Sequence, residues 1–406
     1  MNQSLLLADV TAPEDVTAAG VAAPGRISWT RTPLPASDLA TAAQIAERCA
    51  QPAFGQVFTE HMVSARWSED RGWHDARLRP WGPLVLDPAT VGLHYGQVVF
   101  EGLKAFRQQD GSVAAFRPAD HARRMRRSAR RLAMPEPPEE LFVESVRELL
   151  AQDQRWVPQA PTQSLYLRPL LFATDMSLAL RPSRSYEFLL LAFVTEAFFG
   201  PAAPSVAVWI CEQYTRAAPG GTGEAKCAGN YAPGYLAQAE AAEHGCQQVV
   251  WLDAAEHRWV EEMGGMNLFF VYGEGAGATL VTPPLTGTLL PGVTRNTLQI
   301  LAADLGLTIE ERRLTVDQWR ADAESGAMTE AFACGTAAVV TPVSRAVSAE
   351  GSWQIGDGKA GPTTAKLHAL LADIQRGRTP DRHGWLDRIP SAAAGSVAGP
   401  ARTVAP

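Results

Sequence analysis

Apolar and polar residues alternate along several stretches of the chain, and the alternation becomes regular after Phe54. A period of two over a few residues is typical of β-strands with one buried face. The strands predicted in this way are Phe54–Phe58, His61–Trp67, Val113–Phe116, Ser164–Pro169, Val206–Cys211, Gln248–Leu252, Trp259–Met263, Asn267–Tyr272, Thr279–Thr282 and Thr308–Arg313. Tyr186–Thr195 is largely apolar and predicts a buried strand, and Glu330–Pro342 predicts a strand interrupted at Gly335.

Other stretches repeat with the period of an α-helix. They predict helices over Ala119–Leu132, Glu139–Asp153, Tyr231–Glu243 and Val316–Glu324, and one more that ends near Gly306. Strands and helices therefore mix along the chain, which favours an α/β or α+β fold.

The first of these helices is strongly basic, with six arginines between Ala119 and Leu132. A nucleic-acid-binding face is one interpretation, but no aromatic residues interleave with the arginines and acidic residues follow at Glu136, Glu139 and Glu140. We therefore interpret the helix as a solvated face with one or two arginines turned inward.

Changes in composition divide the chain into segments. Residues 1–50, rich in Ala, Thr and Pro, predict a loosely attached arm with a short helix near Leu39–Cys49. Residues 198–205 contain two prolines and a glycine, which indicates a linker between a small domain, 51–197, and a larger domain, 206–378. Residues 379–406, rich in Pro, Gly and Ala, predict a flexible tail.

Size and charge narrow the function classes. A chain of 406 residues can form two domains with separate cores, and a net charge of −7 disfavours nucleic acid or an acidic membrane as partner. The five cysteines form no CxxC pair and the eight histidines no HxxxH spacing, so neither a disulfide framework nor a metal site is predicted. Without a signal peptide or a membrane-spanning stretch, the expected location is the cytoplasm.

One lysine has an unusual setting, within GGTGEAKCAGNY (Gly220–Tyr231). Small residues surround Lys226 and let a flat ligand approach the backbone closely. An amine partly shielded from water and near other cations loses its proton more readily, and it can then form a Schiff base with an aldehyde cofactor. A glycine-rich loop with an ordinary surface lysine would have the same composition.

A pyridoxal phosphate on this lysine would need further groups. These are a carboxylate for the ring nitrogen, a hydroxyl for the phenolic oxygen, donors for the phosphate and a site for the substrate carboxylate. Glu262 ends a strand, Gly292–Thr294 precedes a helix whose amides suit an anion, and Gly335–Ala337 can present amides and a hydroxyl. Each also has a simpler interpretation, as a solvated acid, a turn with an N-cap or a bulge.

Seven blocks in their order resemble the fold-type IV pyridoxal phosphate enzymes, and closely the branched-chain amino acid aminotransferases. The blocks are HYGQVVFEGLKAF (His94–Phe106), HARRM (His121–Met125), SLYLRP (Ser164–Pro169), YTRAAPGGTGEAKCAGNY (Tyr214–Tyr231), EMGGMNLFF (Glu262–Phe270), LPGVTR (Leu290–Arg295) and GTAAVVTP (Gly335–Pro342). The resemblance covers about Phe54 to Arg378. It implies the two-domain fold of the D-amino acid aminotransferase type, with a small N-terminal α/β domain, a larger C-terminal domain around a barrel-like β core, and pyridoxal 5′-phosphate as cofactor.

The resemblance also implies roles for the matched residues. Lys226 would carry the cofactor and move the proton at the substrate Cα, Glu262 would bind the pyridine nitrogen, and Tyr231 the phenolic oxygen. The residues implied for the phosphate are Arg124, Val293, Thr294 and Thr336, with Arg216 at longer range. Those implied for the substrate are Phe54, Tyr95, Phe100, Tyr166 and Arg168 around the side chain, and the Thr336 and Ala337 amides at the α-carboxylate.

The reaction implied by the resemblance is transfer of the amino group of leucine, isoleucine or valine to 2-oxoglutarate. Aromatic walls suit a branched aliphatic side chain, and Arg168 with the Tyr95 hydroxyl is a candidate for the second carboxylate of glutamate. The expected partners are amino acids, 2-oxo acids and a second copy of the chain, because residues near Tyr95 line the neighbouring subunit's site in such homodimers.

The sequence departs from the family pattern near the lysine. Cys227 and Ala228 replace the x-Gly pair of Lys-x-Gly-Gly-Asn-Tyr, and Ala228 would clash if its position required a positive φ. Pro233–Tyr235 replaces small residues, and Ala338 and Thr341 replace a CxxC thiol switch of some relatives.

Alternative functions stay open. The departures at Cys227–Ala228 and Pro233–Tyr235 keep open an aminotransferase for an unusual amino acid in a secondary pathway. A D-amino acid aminotransferase and an aminodeoxychorismate lyase are others, although the long chain and the Tyr166–Arg168 pair argue against both. A binding protein that kept the fold is disfavoured by the intact Lys226, Tyr231 and Glu262.

Overall fold

The computed structural model describes residues 27–196, 198–199 and 205–390. The strands of this part are β1 (Trp29–Arg31), β2 (Val57–Phe58), β3 (His61–Ser68), β4 (Gly72–Pro80), β5 (Val98–Phe100), β6 (Leu103–Arg107), β7 (Val113–Phe116), β8 (Ser164–Ala173), β9 (Ser185–Thr195), β10 (Val206–Cys211), β11 (Gln248–Leu252), β12 (Val260–Met263), β13 (Met266–Tyr272), β14 (Thr279–Thr282), β15 (Thr308–Glu311), β16 (Met328–Gly335), β17 (Val339–Ser348), β18 (Gly351–Gln354) and β19 (Leu386–Ile389).

The α-helices of the same part are α1 (Ala42–Arg48), α2 (Val91–Tyr95), α3 (Pro118–Arg131), α4 (Glu139–Asp153), α5 (Tyr235–Glu243), α6 (Val293–Asp304), α7 (Val316–Ser325) and α8 (Pro362–Gln375). Short 3₁₀ helices lie at Ala36–Asp38, Gln154–Trp156, Ala228–Asn230, Ala232–Gly234 and Gly275–Gly277.

The first half of the chain, together with β19 near its other end, forms an open sheet of ten strands. Their order is β1-β4-β3-β9-β8-β6-β7-β19, with β2 against β9 and β5 against β8. The buried stripe of α3, including Met125, and that of α4, including Phe142, share one core with alternate residues of the strands. Of the six arginines between Ala119 and Leu132, only Arg124 is buried, which confirms the prediction that one or two arginines turn inward.

The second half forms a closed barrel. Strands β12, β11, β10, β17, β16 and β13 pair in that order, and β13 returns to pair with β12. Side chains alternate along β13, so Leu268 and Phe270 join one core while Phe269 and Val271 join another that contains residues of α6 and α8. This barrel beside an open α/β sheet is the architecture expected from the resemblance.

The N-terminal arm is more firmly attached than predicted. Residues 1–26 lie outside the described residues, but β1 pairs in parallel with β4. The predicted short helix is α1, whose Thr41 and Gln44 form a reciprocal capping box. The arm is therefore part of the first sheet from Trp29 onward.

The prediction of a flexible tail from residue 379 is wrong for its first part. Strand β19 pairs antiparallel with β7, and Trp385 is buried against Phe116 and stacks under the guanidinium of Arg117. These contacts bury enough apolar surface to order a segment whose composition alone suggests disorder. Residues 391–406 lie outside the described residues.

The remaining boundaries stay predictions. The proposed linker 198–205 lies only partly within the described residues, since 200–204 fall outside them. Within the described ranges, none of the helices combines the length and apolar character needed to cross a bilayer.

Candidate active site

A cleft of about 620 Å³ lies between the open sheet and the barrel. This volume is within the range of ligand sites that enclose a small organic molecule. Of the residues predicted for the site, those that line the cleft are Phe54, Phe100, Arg124, Tyr166, Arg168, Arg216, Lys226, Tyr231, Glu262, Val293, Thr294, Thr336 and Ala337. Twelve predicted residues from seven separated blocks, together with Phe54, therefore meet in one place.

Tyr95 is the exception. Its ring is 51% exposed, and its hydroxyl donates to the carbonyl of Leu178 at 3.0 Å, outside the cleft. The sequence predicts that Tyr95 lines the substrate pocket, but within one chain Tyr95 lies outside that pocket.

Lys226 projects into the cleft from a segment fixed on both sides. Its amide N–H donates to Ser128 Oγ of α3 at 2.9 Å, and its carbonyl accepts from the Phe100 amide of β5 at 3.0 Å. Its Nζ lies 3.0 Å from the Tyr231 hydroxyl and 4.8 Å from the centre of the Phe100 ring. The backbone of Lys226 thus belongs to the barrel half by sequence but is held by α3 and β5 of the other half.

Asn230 closes the loop that carries the lysine. Its side-chain amide donates to the carbonyls of Thr222 and Ala225 at 2.8 Å each, and its oxygen accepts from the Thr222 hydroxyl at 2.7 Å. Ala228 lies in a 3₁₀ turn and does not have a positive φ, so the clash considered from the sequence does not arise.

Glu262 is a buried carboxylate at the β12 end of the cleft. Burial raises the pKa of Glu262, and the neighbouring Arg216 guanidinium opposes that rise. The Arg216 Nε lies 2.9 Å from Glu262 Oε1, close enough for an ion pair but not aligned for a hydrogen bond. Arg216 therefore pairs with Glu262, and its predicted long-range contribution to phosphate binding stays a prediction.

Arg124 is fixed by a bidentate ion pair. Its Nε lies 2.7 Å from one oxygen of Glu101 and its Nη2 lies 2.8 Å from the other. Glu101 also accepts from His121 Nδ1 at 2.8 Å. Burial alone would raise the pKa of the Glu101 carboxyl, but Arg124 and then His121 bring it well below its usual range. Nη1 of Arg124 makes only a long contact of 3.4 Å to the Pro291 carbonyl, which leaves it available toward the cleft.

Two backbone elements supply further donors. Helix α6 begins at Val293 without a side-chain cap, so its first amides are available at the cleft, where Val293 and Thr294 lie. The turn between β16 and β17 brings Thr336 and Ala337 to the same cleft. The predicted interrupted strand is thus a hairpin, whose turn follows Gly335.

The opposite wall is aromatic. Tyr166 stacks on Phe193 at 4.9 Å, and Phe54 meets Tyr166 edge-on at 5.1 Å. The guanidinium of Arg168 lies 5.0 Å from the centre of the Phe100 ring, and its buried Nε has no hydrogen-bond partner. An unpaired buried donor is costly, so Arg168 is suited to receive an anionic group of a ligand.

The sequence analysis did not identify several residues that support the site. They are Lys104, Glu101, His121, Ser128 and Asn230. For Lys104 and Glu101 the sequence does contain a signal, because both are charged residues within the apolar run VVFEGLKAF. A charge that interrupts a buried strand usually has a specific partner.

The open sheet, the closed barrel and the lysine cleft between them define a class of enzyme. The model of the family Amino-transferase class IV matches residues 98–346, which is more than half of the chain. The branched-chain-amino-acid aminotransferase of Mycolicibacterium smegmatis is 54% identical over 341 residues, covering 84% of this chain and 93% of that protein. That of Mycobacterium tuberculosis is 53% identical over 359 residues, covering 88% and 98%.

Solved structures agree with these sequence matches. The branched-chain amino acid aminotransferase of Escherichia coli superposes with a TM-score of 0.65 at 28% identity, covering 80% of this chain and 99% of its own. The T.th. branched-chain amino acid aminotransferase with pyridoxamine 5′-phosphate gives a TM-score of 0.64 at 28% identity, covering 82% and 99%. The chain belongs to the class IV aminotransferases and, within them, to the branched-chain amino acid aminotransferase family.

Proposed function

We propose that this chain transfers the amino group of leucine, isoleucine or valine to 2-oxoglutarate, with pyridoxal 5′-phosphate as its cofactor. The observation that carries the proposal is the meeting of Lys226, Tyr231 and Glu262 in one cleft with the amides of α6. The chain is 54% and 53% identical, over the aligned residues, to two branched-chain-amino-acid aminotransferases, and this identity supports the substrate class.

The residues of the cleft fit this cofactor. The uncapped α6 N-terminus and Arg124 suit a phosphate, and Glu262 suits a ring nitrogen that carries a proton. Close packing also limits the space, because a Cβ on Gly102 would lie 1.8 Å from the Tyr166 hydroxyl. When bound, the cofactor supplies an electron sink and carries the amino group between the two substrates.

The chain's own residues would perform the proton transfers and the orientation. Lys226 Nζ holds and moves the proton at the substrate Cα, and the Tyr231 hydroxyl, 3.0 Å away, orients it. The Thr336–Ala337 turn binds the α-carboxylate. Arg168 receives the second carboxylate of glutamate, while the aromatic wall excludes water around an aliphatic side chain.

The test uses the purified chain with added pyridoxal 5′-phosphate. With L-leucine and 2-oxoglutarate we expect glutamate to form, and Lys226→Ala should lower the rate by at least about three orders of magnitude because the nucleophile is lost. Lys366→Ala, at an exposed position of α8, is the matched control. Absence of glutamate from leucine, isoleucine and valine in the unmodified protein would reject the proposal.

A panel of amino donors tests the alternatives from the sequence. Ala228 and Tyr235, two of the departures from the family pattern, line the cleft. Faster turnover of an aromatic or unusual L-amino acid than of leucine would favour a different donor. Turnover of D-leucine, or pyruvate release from aminodeoxychorismate, would favour the other two enzyme classes.

We also propose that the chain acts as a homodimer. Large apolar side chains are exposed on the two neighbouring segments 81–95 and 176–180, which a Thr90–Met176 bridge joins. The most exposed of them are Val85, Leu93, Met176 and Leu180. Exposed apolar side chains on neighbouring segments are typical of an interface, and an interface here would bring Tyr95 next to a second copy.

A further inference from the structure

Lys104 is a buried charge to which the proposed reaction gives no role. It lies on β6 of the open sheet, is 6% exposed, and donates from Nζ to the carbonyl of Ala337 at 3.1 Å. Ala337 is 233 residues further along the chain, in the turn between β16 and β17. Within the described ranges, this is the ammonium group's one hydrogen bond to the protein.

The turn that Lys104 contacts has a strained backbone. Val339, at its end, has a φ of 59°, which is a rare and unfavourable conformation for a β-branched residue. Such strain persists only where surrounding contacts hold the backbone. Two contacts do so here: Lys104 binds the Ala337 carbonyl, and the Thr341 hydroxyl binds the Ala338 carbonyl at 3.1 Å.

Lys104 also lies directly behind the groups that face the cleft. With His121, Thr294 and Thr336 it lines a small cavity of about 10 Å³. The charged and titratable groups near Lys104 are His121 of α3, which lines the same cavity, His368 of α8, and Arg376 just after α8. Burial, and then the charge of Arg376, lowers the pKa of Lys104 to about 7. A cation kept in so unfavourable an environment is more typical of a functional site than of a structural one.

We propose that Lys104 is a positioning residue for carboxylate binding. It fixes the turn Thr336–Ala338 in the orientation that presents its amides to the cleft, and it places a positive charge behind that turn. The inference rests on the proposed function, from which it takes the identity of the substrate. The group that it concerns is the α-carboxylate, which every amino acid and 2-oxo acid carries.

The test compares Lys104→Met, Lys104→Arg and the exposed control Lys366→Met. The readouts are KM and kcat for leucine, and the Kd of 4-methylvaleric acid, a carboxylate without an amino group, measured by calorimetry. We expect Lys104→Met to raise KM and Kd about 10-fold, with kcat changed less than about 3-fold, since a hydrogen bond to a charged group is lost. Lys104→Arg should restore most of the affinity.

A pH series separates positioning from general stabilisation. In the unmodified protein the Kd of 4-methylvaleric acid should rise between pH 6 and 8, because Lys104 loses its charge as the pH passes its pKa of about 7. Lys104→Met should lack this rise. If Lys104→Met does not fold, as judged by its melting temperature, the inference is tested by the pH series of the unmodified protein and by the carboxylate affinity of Lys104→Arg.

Three outcomes would overturn the inference. These are unchanged carboxylate affinity in Lys104→Met, an arginine variant as weak as the methionine variant, or a Kd in the unmodified protein that does not change with pH. Failure of leucine transamination with carboxylate binding intact would instead reject only the proposed function.

Discussion

Glu262 shows how the surroundings of a single residue control its charge. Burial alone favours its neutral form, and the adjacent Arg216 guanidinium shifts the balance back toward the carboxylate. The pKa of Glu262 nevertheless remains above the ordinary value for glutamate. The group therefore takes up a proton at a higher pH than an exposed glutamate, and in that form it can no longer balance a positive charge on the cofactor ring.

We predict that Glu262→Gln lowers kcat by about 100-fold, since losing one charged partner in a buried site typically costs 2–5 kcal/mol. The acid limb of the pH–rate profile should also change, because activity that depends on the Glu262 carboxylate is lost as the pH falls through its raised pKa. Steady-state kinetics across pH would measure both effects. Glu274→Gln, at an exposed loop position, is the control. A variant with unchanged kcat would contradict the assigned role.

At the scale of elements, Glu101 joins a strand to a helix. It follows β5 and holds Arg124 and His121 on one face of α3, with all three side chains buried. Because its carboxyl pKa is lowered in the folded state, the ion pair stabilises the protein above the ordinary pKa of a glutamate and is lost as the pH falls further.

We predict that Glu101→Gln destabilises the fold by about 3–5 kcal/mol, because it leaves the Arg124 guanidinium buried without its counter-charge. It should also weaken retention of pyridoxal 5′-phosphate, since Arg124 loses its fixed orientation. Urea denaturation and dialysis of the reconstituted protein would measure the two effects. Glu140→Gln, on the exposed face of α4, should change neither. Equal stability of the two variants would refute the prediction.

Elements with their own periodicity were predictable, and those that depend on distant partners were not. The bounds of α4 were predicted correctly from the sequence. Helix α5 begins at Tyr235, four residues later than predicted, because the 3₁₀ turn Ala232–Gly234, which contains Pro233, precedes it. Strand β19 was missed because its order depends on pairing with β7, which no local pattern reports.

At the scale of the molecule, the site was more predictable than its supporting contacts. Residues such as Lys226 and Glu262 were found because the resemblance assigns them by motif. Lys104 and Asn230 were missed because their roles consist of contacts to particular backbone carbonyls, and those contacts exist only once the chain is folded. Arg216 lines the cleft as predicted, but its ion pair with Glu262 was missed for the same reason.

The proposed dimer gives a prediction for the whole assembly. Val85 and Leu180 are exposed apolar residues of the proposed interface. We predict that Val85→Asp and Leu180→Asp each raise the dimer dissociation constant by at least about 10-fold, because a charge at an apolar interface must be desolvated. Sedimentation velocity over a dilution series would measure the change. Leu285→Asp, at an exposed position of the barrel half, is the comparison. A dimer of unaltered affinity would place the interface elsewhere.

The attachment of the lysine segment to the open sheet has a consequence for how this enzyme can be rebuilt. Val99 bridges Cys227, and the Phe100 amide binds the Lys226 carbonyl, so both halves of the molecule determine the position of Lys226. A chimera that exchanges one half with that of a homologue must therefore preserve this short pairing. Where it does not, both halves can fold and the hybrid will still lack a correctly placed amine.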